Sequence, residues 1–153
     1  LEVLTDGPGA GFGDFTTGGD KTFGFFTCVN DGSVELESIE VEGLEGSVEL
    51  LGAVVYTSSD RFVGATDGFP PEGIDEEKIV EIEGTVVDIP CDDPEGDERV
   101  QLLVGLERTG REGGQISGFV VHTSGEDVDV AYQILLCGDE LEFCEGLQPT
   151  ENT

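Results

Sequence analysis

The chain has 153 residues, a length that suits one domain with its own hydrophobic core. It carries 35 acidic and 6 basic residues, and the net charge of −29 makes nucleic-acid phosphates and anionic lipid headgroups unfavourable partners. The longest apolar run, residues 50–56, is far shorter than the roughly 20 residues of a membrane-spanning helix, so we predict no transmembrane segment.

The first 20 residues are rich in glycine, with glycines at positions 7, 9, 11 and 13. A phosphate-binding G-x-G-x-x-G loop would need a further glycine where Phe12 stands, and the neighbouring acids would repel phosphate. We therefore interpret residues 1–20 as a Gly-rich lead-in segment or linker. It precedes a domain that covers residues 21–147, and residues 148–153 form a C-terminal tail.

From position 22 onward the pattern is that of β-strands, because polar and apolar residues alternate and β-branched and aromatic residues are frequent. The apolar positions change parity within 34–42, which predicts a β-bulge near Glu37 and Ser38. Turn sequences rich in Gly, Pro, Asn and Asp separate the segments. The predicted strands are 22–29, 34–42, 47–57, 79–89, 100–107, 116–123 and 128–136.

Segment 60–78 is the longest stretch without a clear strand pattern, and we interpret it as a long connection at an edge or an end of the fold. Residues 74–78 are a candidate for one helical turn. About seven strands separated by turns are typical of an all-β fold, here an antiparallel β-sandwich with immunoglobulin-like architecture. The chain has no tryptophan, so the immunoglobulin Cys–Trp–Cys signature is missing and the term describes architecture alone.

Four cysteines, at positions 28, 91, 137 and 144, lack the paired short spacing of a zinc ribbon and favour two disulfides in an oxidising compartment. Four cysteines allow three connectivities, which the sequence does not distinguish. The pairing that we prefer is Cys28–Cys91 with Cys137–Cys144.

The run CDDPEGDE at positions 91–98 is a candidate calcium loop. Its carboxylates could supply oxygen ligands around a Pro-x-Gly turn, although the run does not follow the EF-hand pattern. In a chain with 35 acids an ordinary acidic loop between strands explains the same residues. The candidate calcium ligands are Asp92, Asp93, Glu95, Asp97 and Glu98.

The sequence offers few residues in an arrangement that could support catalysis. His122 is the sole histidine, and Ser124 lies too far along the same strand face for a nucleophile–base hydrogen bond in regular geometry. No G-x-S-x-G motif occurs. We therefore predict that the protein is not an enzyme and assign no catalytic or cofactor-binding residue.

The stretch 100–137 has an apolar strand with Gly-Leu, a Gly-rich turn, a second strand with His122 and a last strand that ends at Cys137. In these features it resembles small secreted or lipid-anchored β-sandwich proteins of high-GC Gram-positive bacteria whose function is uncharacterised. The resemblance covers about a quarter of the chain and implies an exported β-sandwich. It transfers no site residues.

Together these patterns predict a secreted or cell-surface module, held by disulfides, with a structural or protein-interaction role at the bacterial cell envelope. Its partner would be a protein or the cell wall. The alternative is a calcium-stabilised ligand-binding module, for example for carbohydrate, although two tyrosines and no tryptophan argue against a sugar ligand. A small hydrolase is the third hypothesis.

Overall fold

The computed structural model describes residues 1–5, 9–12, 20–58, 63–71, 73–91, 99–110 and 113–137. These ranges contain one turn of 3-10 helix, Glu76–Lys78, and fourteen strands. The strands are β1 (Glu2–Leu4), β2 (Gly9–Phe12), β3 (Asp20–Cys28), β4 (Val34–Glu42), β5 (Glu45–Gly46), β6 (Val48–Ser58), β7 (Ala65–Asp67), β8 (Ile79–Glu81), β9 (Val86–Val87), β10 (Arg99–Arg108), β11 (Gly113–Ile116), β12 (Gly118–Thr123), β13 (Val128–Val130) and β14 (Gln133–Cys137).

The strands form three sheets. The first, here called the large sheet, has the order β1-β3-β10-β6-β8, and β7 also pairs with β3. The second, called the acidic sheet, has the order β13-β12-β4-β9, and the third has the order β2-β14-β11-β5. All strand pairs in these sheets are antiparallel except β2 with β14. The predicted all-β fold with antiparallel sheets packed as a sandwich is confirmed.

The predicted number of strands was too low, since the described residues alone hold fourteen. Segment 79–89 shows one reason. It contains β8, which pairs with β6 in the large sheet, and β9, which pairs with β4 in the acidic sheet. Gly84 lies between them with a φ of +86°, a conformation that glycine adopts at low cost. The apolar pattern of residues 79–89 is thus continuous in sequence, although the turn at Gly84 takes the chain from the large sheet to the acidic sheet. The sequence therefore predicted one strand where the structure has two.

The Gly-rich segment 1–20 contains β1 and β2, which extend the large sheet and the third sheet. Residues 138–147 and the predicted tail 148–153 lie outside the described residues. The β-bulge predicted near Glu37 is confirmed, because Leu36 pairs with Thr123 and Ser38 with His122, which leaves Glu37 as the extra residue.

The sheets share one core. Phe25 and Leu102 of the large sheet, Leu36 and Phe119 of the acidic sheet and Ile134 of the third sheet belong to a single cluster of buried side chains. The opposite face of the large sheet is also covered. Residues on either side of β7, among them Val63 and Phe69, lie in the predicted long connection and pack over it.

Besides the pairing of β7 with β3, two contacts join residues 63–71 to β10. The backbone N–H of Val63 donates a hydrogen bond to Oε1 of the fully buried Gln101, with 2.9 Å between nitrogen and oxygen. The ring of Phe69 occupies the space where a side chain at Gly105 would lie, since a Cβ built on Gly105 falls 2.3 Å from Cγ of Phe69. A glycine in the middle of β10 therefore gives this ring its place.

Candidate functional site

A recess interrupts one edge of the large sheet. Strand β3 has β10 on one side, while on the other side β1 pairs with residues 26–28 and β7 with residues 21–23. Gly24 and Phe25 therefore face the space between the end of β1 and the start of β7. The N–H of Gly24 donates to the carbonyl oxygen of Gly64 at 2.9 Å and closes one end of this space.

The recess has a volume of about 410 Å³ and an apolar lining. Its base is formed by Phe23, Phe25 and Tyr132, which are buried, and its rim carries Leu4, which is 50% exposed. The ring of Phe25 contacts that of Tyr132 edge to face, with 5.1 Å between centroids and 86° between planes. The described residues that line it are all uncharged, and they are Leu4, Thr5, Phe23, Gly24, Phe25, Phe26, Gly64, Ala65 and Tyr132.

A second recess of about 240 Å³ shares Leu4 and Phe26 with the first and extends toward Cys28 and Cys91. These two cysteines form a disulfide with 4.9 Å between their Cα atoms, the pairing that we preferred from the sequence. The bridge fastens β3 to the segment that follows β9. Cys137 is disulfide-bonded as well, and Cys144, its preferred partner, lies outside the described residues.

The calcium hypothesis concerns residues that the structure does not describe. Its five candidate ligands, Asp92, Asp93, Glu95, Asp97 and Glu98, all lie in the range 92–98. The hypothesis therefore stays a prediction.

His122 lies on the outward face of β12 and contacts two carboxylates. Its Nε2 is 3.3 Å from Oε2 of Glu40, and its Nδ1 is 3.1 Å from Oδ1 of Asp127. The hydrogen bonds to Asp127 and then Glu40 raise the pKa of His122 above its ordinary value of 6.5. Ser124 is engaged elsewhere, because its Oγ accepts a hydrogen bond from the N–H of Glu35 at 3.1 Å.

Sequence reasoning missed the recess because no motif marks it. Its aromatic residues alternate along β3 as in any buried strand, and the gap depends on where β1 ends and β7 begins. A signal existed in Gly24, since it is the one small residue in the run FGFF. A Cβ built there falls 3.2 Å from Cδ2 of Leu103 and 3.3 Å from Cβ of Val63, so glycine allows a closer approach of these neighbours than a larger residue would.

In the described part of the chain, no helix is both long and apolar enough to cross a membrane. No protein-family model, curated protein or solved structure matches the chain.

Proposed function

We propose that the protein is an exported, disulfide-stabilised β-sandwich module that binds a protein partner at the surface of a Gram-positive-type bacterial cell and performs no chemistry on it. The observation that carries this proposal is the recess beside β3, which is uncharged along its described lining in a chain of net charge −29. The Cys28–Cys91 bridge supports export, because disulfides persist in oxidising compartments.

The chemistry of the recess defines the part of the partner that would enter it. A volume of about 410 Å³ lies within the range of roughly 300–1,000 Å³ that is common for ligand sites. Its aromatic and aliphatic lining favours an apolar anchor side chain, which typically supplies much of the binding energy at an interface. The negative charge of the chain favours basic residues around that anchor, because complementary charge speeds association and discourages acidic partners.

The base of the recess suits a binding site because it is held in place before the partner arrives. Phe23, Phe25 and Tyr132 are 2%, 3% and 8% exposed, so their rotamers are fixed by the core. Little conformational entropy is then lost in this base on association. The proposal includes immunoglobulin-like architecture, because sandwiches of this kind are common among cell-surface domains.

A matched pair of variants tests the proposal. Leu4 and Val80 are 50% and 48% exposed, and they lie in the strands β1 and β8 at opposite edges of the large sheet. Leu4→Glu places a carboxylate at the rim of the recess, whereas Val80→Glu makes the same change of charge away from it. Fluorescently labelled protein is incubated with isolated cell envelopes of a high-GC Gram-positive bacterium, and the bound fraction is measured against protein concentration.

We expect saturable binding of the natural chain, a loss of affinity of about tenfold or more for Leu4→Glu, and near-natural affinity for Val80→Glu. Protease treatment of the envelopes should abolish binding, since the proposed partner is a protein. Absence of binding by the natural chain, or equal losses in both variants, would show that the recess is not the interaction site.

A further inference from the structure

A cluster of potential metal ligands surrounds the Cys28–Cys91 bridge. A carboxylate oxygen of Glu2 and the Sγ atoms of Cys28 and Cys91 all lie within 4.8 Å of one another. Glu2 is held there by the sheet, because it pairs directly with Cys28 in the register of β1 with β3. We propose that reduction of this bridge turns the three residues into a zinc-binding site.

The three residues lie close enough to hold a tetrahedral zinc ion once the bridge is reduced. Zinc binds thiolate sulfur at about 2.3 Å and carboxylate oxygen at about 2.0–2.2 Å, which places neighbouring ligand atoms roughly 3.4–3.8 Å apart. The three ligand atoms lie within 4.8 Å of one another, and after reduction we expect rotation of the two cysteine side chains to move the sulfurs apart to these separations. Two thiolates select zinc over calcium, which takes about six to eight oxygen ligands.

Backbone hydrogen bonds hold the two cysteines near each other independently of the bridge. The N–H of Val29 donates to the carbonyl oxygen of Ile89 at 2.8 Å, and the N–H of Cys91 donates to that of Val29 at 2.9 Å. These bonds join the residue after Cys28 to the residues on either side of Pro90. Reduction therefore leaves the Cα atoms of Cys28 and Cys91 close to their separation of 4.9 Å.

The chemistry needs a dithiol reductant. It transfers two electrons and two protons to the bridge, so that the S–S bond becomes two thiols while the dithiol becomes a cyclic disulfide. Zinc then displaces both thiol protons and binds two thiolates and the carboxylate of Glu2, a complex with one net negative charge. In the oxidised form each sulfur is bonded to the other, and no thiolate exists to bind the metal.

The surroundings leave room for the reductant and for a fourth ligand. Cys28 is buried, Cys91 is half-buried and Glu2 is exposed, so one side of the cluster faces water. Both cysteines also line the recess of about 240 Å³. A water molecule can complete the tetrahedron from that side, and the net charge of −29 raises the local concentration of cations. Zinc would then link β3 to the segment after β9 in place of the covalent bond.

Cobalt(II) provides the test, because tetrahedral thiolate complexes of this ion show a charge-transfer absorption. The protein used is the double variant Cys137→Ser and Cys144→Ser, reduced with a phosphine and desalted without oxygen. We expect one cobalt per chain, a charge-transfer band that zinc abolishes, and no band in the oxidised protein. Absence of the band in the reduced protein, or cobalt bound equally by the oxidised protein, would overturn the inference.

The variant Glu2→Gln tests whether Glu2 is a metal ligand or whether the two cysteines bind the metal without it. The control is Glu49→Gln, which makes the same change of charge at an exposed position of β6. We expect Glu2→Gln to weaken cobalt binding at least about tenfold and Glu49→Gln to leave it unchanged. Equal affinities of the two variants would exclude Glu2 and overturn the proposed site.

If the double variant does not fold, alkylation of the reduced natural chain tests the same proposal. Zinc should slow the alkylation of Cys28 and Cys91, as mapped by mass spectrometry, whereas calcium should not. Unchanged alkylation rates in the presence of zinc would contradict the proposal. Both experiments are independent of binding to cell envelopes, so the metal site and the partner-binding function can fail separately.

Discussion

The large sheet and the acidic sheet share a core but differ on their other faces. In β10 the residues from Gln101 to Val104 are all 0% exposed, because one face meets the core and the other lies under residues 63–71. In β4 Leu36 is buried, whereas Glu35, Glu40 and Glu42 are exposed. The large sheet is thus covered on both faces at its centre, and the acidic sheet is covered on one.

This difference shows how the acidic sheet contributes to the core and carries charge at the same time. Alternation along β4 places Leu36, Ile39 and Val41 toward the core and its glutamates outward, where water solvates them. Only a sheet with a free face can carry charge in this way. We therefore expect truncations at the centre of the large sheet to cost more stability than truncations on the outer face of β4, and we expect the pH dependence of His122 to arise in the acidic sheet.

The largest expected effect is a truncation at the centre of the large sheet. Leu102→Ala removes a fully buried side chain from β10 and should lower the free energy of unfolding by about 2–5 kcal/mol. Glu42→Ala in β4 removes an exposed side chain and should change it by no more than about 0.5 kcal/mol. Urea denaturation at fixed ionic strength measures both values. Similar costs at the two positions would contradict the comparison.

The second effect concerns the bridge that ties β3 of the large sheet to the segment after β9 of the acidic sheet. Cys28 and Cys91 are 63 residues apart, and in the chain-entropy model closing such a loop stabilises the fold by about 4 kcal/mol. The double variant Cys28→Ala and Cys91→Ala should therefore lose roughly 2–4 kcal/mol in urea denaturation under oxidising conditions. An unchanged midpoint would show that the backbone bonds of Val29 suffice to hold the sheets together.

The sequence predicted those features that follow from local pattern. Alternation showed the strands, and the change of parity in β4 located the bulge at Glu37, because a buried face cannot switch sides without an extra residue. The one-turn helix, Glu76–Lys78, falls within the predicted 74–78, where Asp75 caps it by accepting a hydrogen bond from the N–H of Glu77.

Features that depend on the pairing of short strands distant in sequence were not predicted. The gap beside Gly24 exists because β1 and β7, which are 60 residues apart in sequence, pair with different parts of β3. Likewise, Glu2 meets the bridge only through the register of β1 with Cys28. Three-residue strands in Gly-rich or irregular segments carry too few side chains to show a period of two, so the positions of β1 and β7 had no sequence signal, and Gly24 alone hinted at the recess.

A smaller effect is expected from salt, and it includes the test of the calcium hypothesis. Screening of the −29 charge should raise the melting temperature as sodium chloride increases. Calcium and magnesium chloride at the same ionic strength should raise it equally if screening is the cause. A larger rise with calcium that EDTA reverses, and that is lost in Asp92→Asn with Asp93→Asn, would establish the predicted loop as a calcium site.

The smallest effect is a pH dependence confined to the acidic sheet. A neutral imidazole has one N–H, so it cannot donate to both Glu40 and Asp127, whereas the imidazolium form donates to both. Folding therefore favours the protonated ring, in keeping with the raised pKa of His122. The stabilisation is fully present below the unfolded pKa of 6.5 and is lost as pH rises through the folded value.

The measurement compares the natural chain with His122→Gln between about pH 6 and about pH 8, a range in which ordinary carboxylates stay ionised. The stability difference between the two proteins should be greatest at the acidic end and should level off at a constant value once the natural histidine has lost its proton. NMR titration of the imidazole should show a pKa above 6.5 that falls more in Asp127→Asn than in Glu35→Gln, because the hydrogen bond to Asp127 is the largest cause of the shift. Parallel stability curves would mean that the two carboxylate contacts add nothing to the folded state, and the acidic sheet would then respond to charge through general repulsion alone.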